Sequence, residues 1–119
     1  MLISAITMIK NEEEFVGYVI MSMYDYVDEI IVTDGGSTDG TVALVESRHK
    51  DLSGMISEPD RGIYDALNKG FALSTGDIIG ILHSDDRFYD FTVLARVAET
   101  FADPFFDYVY GDIEMVRPD

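Results

Sequence analysis

The sequence has no cysteine, and it has only eight lysines and arginines against 23 aspartates and glutamates. Without cysteine, a disulfide framework and a thiolate metal site are both excluded. The net charge of −15 argues against nucleic-acid binding, because so few cations cannot offset the repulsion from a phosphate backbone. An acidic protein can still bind a phosphate ligand when a divalent cation lies between them, although solubility alone would also explain the charge.

The sequence also lacks an apolar run of the length that crosses a bilayer, which is about 20 residues. Its opening segment, residues 2–9, is apolar but short, has no basic start and is followed directly by Lys10. That pattern indicates a buried strand and not a signal peptide. We therefore expect no transmembrane segment, and a protein of the cytoplasm or of the inner face of the membrane.

Short apolar runs alternate with longer segments of helical spacing, and this alternation predicts the fold class. The short runs are typical of strands covered on both faces of a parallel sheet; they are residues 2–8, 29–33, 54–57 and 77–83. Helical spacing is shown by Phe15, Val19, Met23 and Val27, by Ile63, Leu67 and Phe71, by Leu94, Val97, Ala98 and Phe101, and by residues 41–48. Residues 1–119 are thus expected to form one α/β domain with a doubly wound, mostly parallel sheet.

Smaller signals complete the expected secondary structure. Two further strands are predicted over residues 106–110 and 113–116. Asp60 is expected to cap the helix around Ile63, and Thr38 or Asp39 the helix around Val42, because short polar side chains accept from the free amides at a helix start.

Ligands of an open parallel sheet bind beyond the carboxyl ends of its strands, so the turns that follow the predicted strands are the candidate site. These turns are residues 7–12, 34–41, 57–62 and 83–86, and each carries a carboxylate. Carboxylates gathered at one edge repel each other unless a cation or hydrogen-bond donors neutralise them. Asp85 and Asp86 suit Mg²⁺ or Mn²⁺, which take one or two protein carboxylates and complete their shell with water and substrate phosphates.

Several candidates also have a structural explanation. Asp85 and Asp86 suit the start of the following helix, where a negative charge is stabilising. Arg61 is placed for a surface ion pair with Asp65, four residues on. His83 has either a structural role or one beside the acidic pair. The Gly35–Gly36 turn allows unusual backbone conformations and close approach of a ligand, but it is neither a dinucleotide fingerprint nor a P-loop.

Four segments, in this order, resemble the inverting glycosyltransferases of family 2, which have the Rossmann-like GT-A fold. They are residues 30–41, 57–70, 74–80 and 84–86, and residues 109–112 are similar to the family's next strand. The resemblance implies a nucleotide-diphosphate sugar donor, usually a UDP-sugar, with Mn²⁺ or Mg²⁺ on its diphosphate. It also implies transfer of the sugar to a hydroxyl of a glycan or lipid-linked acceptor.

The same resemblance assigns roles to individual residues. Thr7 and Glu12 line the nucleoside, Asp34 accepts from the base ring, Arg61 lies near the base or the phosphates, Asp85 approaches the ribose and Asp86 holds the metal. The family commonly has an aromatic residue where Lys10 stands. Its catalytic base and acceptor site lie in a C-terminal half, so we expect this chain to stop before that half. Asp112 is the one late carboxylate at an expected strand end that remains as a candidate base.

The leading prediction is therefore the donor-binding half of a metal-assisted glycosyltransferase of polysaccharide or glycan biosynthesis. The alternative is a non-catalytic nucleotide-sugar-binding module that acts with a partner chain. A third hypothesis is an interaction domain whose acidic turns are only helix caps. Apolar surface left uncovered by an absent half also predicts homo-oligomers.

Overall fold

The computed structural model describes residues 2–48, 52–84, 86–90 and 92–115, and of Arg48 the backbone alone. Strands and helices alternate along these residues as β1 (Ile3–Ile9), α1 (Val16–Tyr24), β2 (Glu29–Asp34), α2 (Thr41–Arg48), β3 (Gly54–Ser57), α3 (Ile63–Leu73), β4 (Ile78–Ile81) and α4 (Val93–Phe101). The predicted order of elements is confirmed as far as α4, although β4 is shorter than expected. No helix among these described residues has the length and apolarity to span a membrane.

The four strands form one parallel sheet in the order β3-β2-β1-β4. The chain begins in the middle of the sheet, adds β2 and β3 on one side, and then crosses to the other side of β1 to form β4. The predicted doubly wound α/β sheet is thus confirmed, and the strand order reverses between β1 and β4.

The main core lies on the face of the sheet that α1 and α2 cover. Each apolar side chain fully buried there stabilises the fold by about 1.5–3 kcal/mol; the cluster consists of Ala5, Ile9, Val16, Val19, Ile20, Met23, Ile30, Val32, Val45 and Leu82. Helix α3 covers the opposite face and packs closely on β1, since a Cβ on Gly70 would lie 2.6 Å from Cγ2 of Ile6.

Strand β4 is covered on one face only. Ile79 and Ile81, which share the face of Ser4 and Ile6, remain 40% and 45% exposed. The expectation that every strand is buried on both faces is therefore wrong for β4. The reason is that α3 packs mainly over β1 and β2 and leaves this side of β4 partly exposed.

The strands predicted over residues 106–110 and from residue 113 onward are also wrong for the described part of the chain. Residues 102–115 contain turns and irregular backbone, and Phe105, Tyr108 and Tyr110 are 81%, 76% and 86% exposed. Apolar residues of this kind suit a strand, but a strand forms only beside an edge with which its backbone can pair. Val116, the last residue of the second prediction, lies outside the described residues.

Glu29 joins the amino edge of the sheet to the connection between α3 and β4. Its Oε1 accepts hydrogen bonds from Ser4 Oγ and Thr75 N, both at 2.8 Å, and its Oε2 accepts one from Thr75 Oγ1 at 2.7 Å. The bonds from Thr75, together with that from Ser4, outweigh partial burial and hold the pKa of Glu29 below its ordinary value.

Candidate functional site

The carboxyl ends of the four strands lie at one edge of the sheet. In the strand register Asp34 is level with Ile9 and Ser57, and Leu82 N donates to Ile6 O at 3.0 Å just beyond the end of β4. Ligands of open α/β sheets bind at this edge, where the strand order reverses, which here is between β1 and β4. Asp34 is roughly 10 Å from the turn after β4 across the sheet, because β1 lies between them and strands are about 4.8 Å apart.

Asp34 is the buried anchor of the turn after β2 (residues 34–41). The residue is 2% exposed. Its Oδ2 accepts from Gly36 N at 3.2 Å, Ser37 N at 3.0 Å and Ser57 Oγ at 2.8 Å, and its Oδ1 accepts from Ser37 Oγ. Burial raises the pKa of this carboxyl, but the hydrogen bonds from Ser37, Ser57 and Gly36 outweigh burial and leave the pKa below its ordinary value. The carboxylate therefore stays charged inside the protein.

The glycines of this turn lie under the turn after β3 (residues 58–62). Gly36 has a φ of +94°, which favours glycine, and a Cβ there would be 3.5 Å from Pro59 Cα. A Cβ on Gly35 would be only 2.7 Å from Oδ2 of Asp60. The unusual backbone conformation expected here is confirmed, and the closest neighbour of the two glycines is a second protein turn.

Asn11 fastens the turn after β1 to the turn after β2. Asn11 Oδ1 accepts a hydrogen bond from Thr38 N at 2.8 Å, and the backbone N–H of Asn11 donates to Ser37 Oγ at 2.8 Å. Asn11 has a positive φ of 52°, a conformation that asparagine tolerates better than most residues. Sequence reasoning missed Asn11 and Ser37. A lone asparagine two residues after the end of a buried strand is the local signal that would have indicated them.

Thr7 lies within β1 and Glu12 lies in the turn after it, and the two residues have different surroundings. The Glu12 amide donates to Thr41 Oγ1 at 2.9 Å, and the Glu12 side chain is half-buried. Thr7 is fully buried on the α1 side of the sheet, and its Oγ1 has no hydrogen-bond partner among the described residues. A buried hydroxyl without a partner costs about 1–3 kcal/mol. Contact of either residue with a nucleoside stays a prediction.

Arg61 and Asp60 lie in the turn after β3. The Arg61 side chain is 91% exposed, and its guanidinium is 3.7 Å from Asp65 Oδ1, so the surface ion pair is confirmed. Asp60 does not cap α3 as predicted: its Oδ1 accepts from Gly62 N at 3.0 Å, one residue before the helix begins. Asp65, from within the first turn of α3, accepts instead from Arg61 N at 2.9 Å. A contact between Arg61 and a nucleotide stays a prediction.

The turn after β4 (residues 83–86) contains the acidic pair. Asp86 is exposed, and its backbone N–H donates to His83 O at 3.0 Å. Asp85 lies outside the described residues. Helix α4 begins only at Val93, so Asp86 is too far away to cap it. The described residues contain no group of three acidic or histidine side chains that would hold a metal. A single carboxylate is nevertheless enough for Mg²⁺ or Mn²⁺ when phosphate and water oxygens complete the shell, so Asp86 fits such an ion.

Asp112 does not end a strand. It is exposed in the irregular segment that follows α4, and the strand expected to carry it is absent from the described residues. The expected strand end is therefore wrong, whereas a role of Asp112 as the base stays a prediction. Asp39, in contrast, caps α2 as predicted, since its Oδ1 accepts from Thr41 N at 2.9 Å.

A parallel, doubly wound sheet with acidic turns at its switch point defines a class of α/β proteins that bind ligands at the carboxyl edge. Within that class the chain belongs to glycosyl transferase family 2, whose family model matches residues 4–119. The predicted family is thus confirmed.

The relatives and solved structures agree with the family. A PGL/p-HBAD biosynthesis glycosyltransferase of Mycobacterium bovis is 38% identical over 92 residues, which cover 73% of this chain and 36% of that protein. The crystal structure of S. aureus TarS 1–349 has a TM-score of 0.73 at 23% identity, covering 87% of this chain and 33% of that one.

A third similarity is to glucosyl-3-phosphoglycerate synthase from Mycobacterium tuberculosis in complex with Mn²⁺, UDP-glucose and phosphoglyceric acid. Its TM-score is 0.62 at 30% identity, and the match covers 72% of this chain and 35% of that one. These neighbours confirm the GT-A fold. The chain spans about a third of the length of the curated relatives it matches.

Proposed function

We propose that this chain is the donor-binding part of a glycosyltransferase that uses a nucleotide-diphosphate sugar, with UDP-sugars as the preferred class. The observation that carries the proposal is an exposed Asp86 at the switch point of a family 2 sheet, where the buried carboxylate of Asp34 is already stabilised by hydrogen bonds from the protein. The related glucosyl-3-phosphoglycerate synthase was solved with Mn²⁺ and UDP-glucose, which supports the same class of donor here.

Asp86 would hold a divalent cation on the donor diphosphate. No ion pair to Asp86 occurs among the described residues, so its charge is available to a ligand at this edge. A cation bound there, Mn²⁺ or Mg²⁺, supplies positive charge that stabilises the departing diphosphate. Asp85 is proposed to approach the ribose.

The nucleoside would lie between the turns after β1, β2 and β3. Glu12 is half-buried and Arg61 is exposed, so both side chains can reach a ligand. An exposed ion pair is worth about 0–1 kcal/mol, so Arg61 can leave Asp65 for a phosphate or base at little cost. Thr7 and Asp34 are buried. We propose that Thr7 lines the nucleoside and that Asp34 accepts from the base ring while it also holds the turn after β2.

The sugar acceptor, a glycan or lipid-linked hydroxyl, and the catalytic base are proposed to belong to residues beyond these 119. The relatives are about three times longer than the matched segment, which supports this division. The same observation favours the alternative of a donor-binding module that acts with a partner chain. Homo-oligomers and a cytoplasmic location stay predictions.

Titration calorimetry with UDP, with and without Mn²⁺, tests the proposal. We expect binding that depends on Mn²⁺ and that Asp86→Asn weakens by about tenfold or more, equivalent to at least about 1.4 kcal/mol. Asp107→Asn is the matched control, because Asp107 is an exposed carboxylate in the irregular segment after α4 and not in a turn that follows a strand, and it should leave the affinity unchanged. Absence of binding at millimolar UDP, or equal affinity in both variants, would count against the proposal.

Transfer assays separate the two forms of the proposal. In the first form, the chain joined to the residues that carry the acceptor site and the base releases UDP from a UDP-sugar when an acceptor is present. A module that depends on a partner binds UDP but releases none until the partner is added.

A further inference from the structure

Lys69, in the second half of α3, holds the turn after β3 against the helix. Its Nζ is 3.0 Å from Glu58 Oε1 and 3.4 Å from Asp65 Oδ2, and it donates to Pro59 O at 3.4 Å. The lysine ammonium has three donors, so each contact can use one of them. The side chain is only 22% exposed, which is low for lysine and shows that its stem packs along the turn.

The segment that Lys69 holds forms the wall over the glycines of the turn after β2. Pro59 lies 3.5 Å from the position of a Cβ on Gly36, and Asp60 Oδ2 lies 2.7 Å from that of a Cβ on Gly35. A shift of the wall by an ångström would therefore either press on the glycine backbone or open a gap beside it.

Few other contacts fix this wall. Glu58 N donates to Asp34 O at 3.0 Å, which fixes the start of the turn. Arg61 N donates to Asp65 Oδ2 at 2.9 Å, which fixes the end of the turn to the first turn of α3. The Arg61 guanidinium is almost fully exposed, so its ion pair with Asp65 contributes little. The middle of the turn, at Pro59 and Asp60, is left to Lys69. Without Lys69, the carboxylates of Glu58 and Asp65 would face the same space with no partly buried cation between them.

We propose that Lys69 is a positioning residue of the donor site. It keeps Pro59 and Asp60 against Gly35 and Gly36 in the arrangement that accepts the nucleotide, and it does not touch the nucleotide itself. The inference rests on the proposed function for its ligand, although the positioning can be measured without any ligand.

The test compares Lys69→Met with Lys69→Arg in the 119-residue chain. Calorimetry with UDP and Mn²⁺ should show affinity weakened about tenfold by Lys69→Met and largely restored by Lys69→Arg, which keeps a cation able to bridge two carboxylates. Amide hydrogen exchange without nucleotide should be faster at Gly35 and Gly36 in Lys69→Met, with β1 amides unchanged. Arg96→Met, which removes an exposed cation on α4, is the control and should match the wild type.

Different outcomes overturn different claims. Unchanged exchange at Gly35 and Gly36 in Lys69→Met, or acceleration that extends equally to β1, overturns the positioning role. Unchanged UDP affinity in that variant overturns it as well. Absence of UDP binding in the wild type contradicts the proposed function alone. If Lys69→Met does not fold, Glu58→Ala removes the shortest of the three contacts at an exposed position and should give the same local pattern to a smaller degree.

Discussion

The turns after β2 and after β4 lie at the same edge of the sheet, on either side of β1, and each carries an aspartate. Asp34 is buried and accepts hydrogen bonds from Gly36, Ser37 and Ser57. Asp86 is exposed. Among the described residues, its backbone N–H makes one hydrogen bond, to His83 O within the same turn.

These two carboxylates therefore differ in what they stabilise. Hydrogen-bond donors of the protein stabilise the charge of Asp34, and these bonds hold the turn after β2 in shape. The charge of Asp86 has no ion-pair partner among the described residues, which leaves it free for the proposed ligand, and its loss should cost the fold little. Substitutions in the two turns separate stability from binding.

Asp34→Ala should have the largest effect. Its donors lose their acceptor inside the protein, and leaving such groups unpaired costs about 2–4 kcal/mol in total. Urea denaturation followed by circular dichroism measures the loss of unfolding free energy. Asp86→Ala is the matched change in the other turn and should stay within about 0.5 kcal/mol of the wild type. Equal losses in the two variants would remove the distinction between the turns.

Gly36→Ala should have the next largest effect. The φ of +94° is unfavourable for alanine by about 1–2 kcal/mol, whereas the nearest atoms, at 3.5 Å, leave room for the methyl group. The destabilisation should thus come from the backbone and not from a clash. Gly111→Ala serves as the control, because a Cβ there meets nothing within 4 Å; a loss as large in Gly111→Ala would refute the conformational explanation.

Acid should destabilise the protein through the turn after β2 and through Glu29. The folded-state pKa values of Asp34 and Glu29 are below their ordinary values, so both carboxylates stabilise the fold above their unfolded pKa values of about 4. That stabilisation is lost as the pH falls through the lowered folded-state values. Urea midpoints measured from pH 7 to pH 3 should decrease below about pH 4. Asp34→Ala should show a shallower decrease than Asp86→Ala, and identical slopes would contradict this.

Asp39→Ala should have the smallest effect of the series. Asp39 is exposed and caps α2 through Thr41, and a lost helix cap weakens only the first turn of the helix. The melting temperature should fall slightly, by less than in Gly36→Ala, and UDP affinity should not change. Asp39→Ser retains a capping oxygen and should recover most of the loss; a large fall in both variants would show a role beyond capping.

Sequence patterns predicted well where neighbouring residues decide the outcome. The order of strands and helices, the cap at Asp39 and the ion pair of Arg61 with Asp65 each depend on spacings of a few residues. The predictions for Asp60 and for residues 106–115 failed for a related reason. A local sequence pattern shows which structure a segment is suited to adopt. The partner that the folded protein offers to that segment decides which structure it forms.

The sequence by itself determined the alternation of strands and helices, the family, and the edge at which the acidic turns gather, because hydrophobic periodicity and motif order are local properties of the chain. Only the tertiary structure decided which of these carboxylates is already satisfied. Ser57 reaches Asp34 from 23 residues away, and Lys69 reaches Glu58 from the far part of α3. Such contacts depend on the distances between packed elements, which no spacing within the sequence specifies.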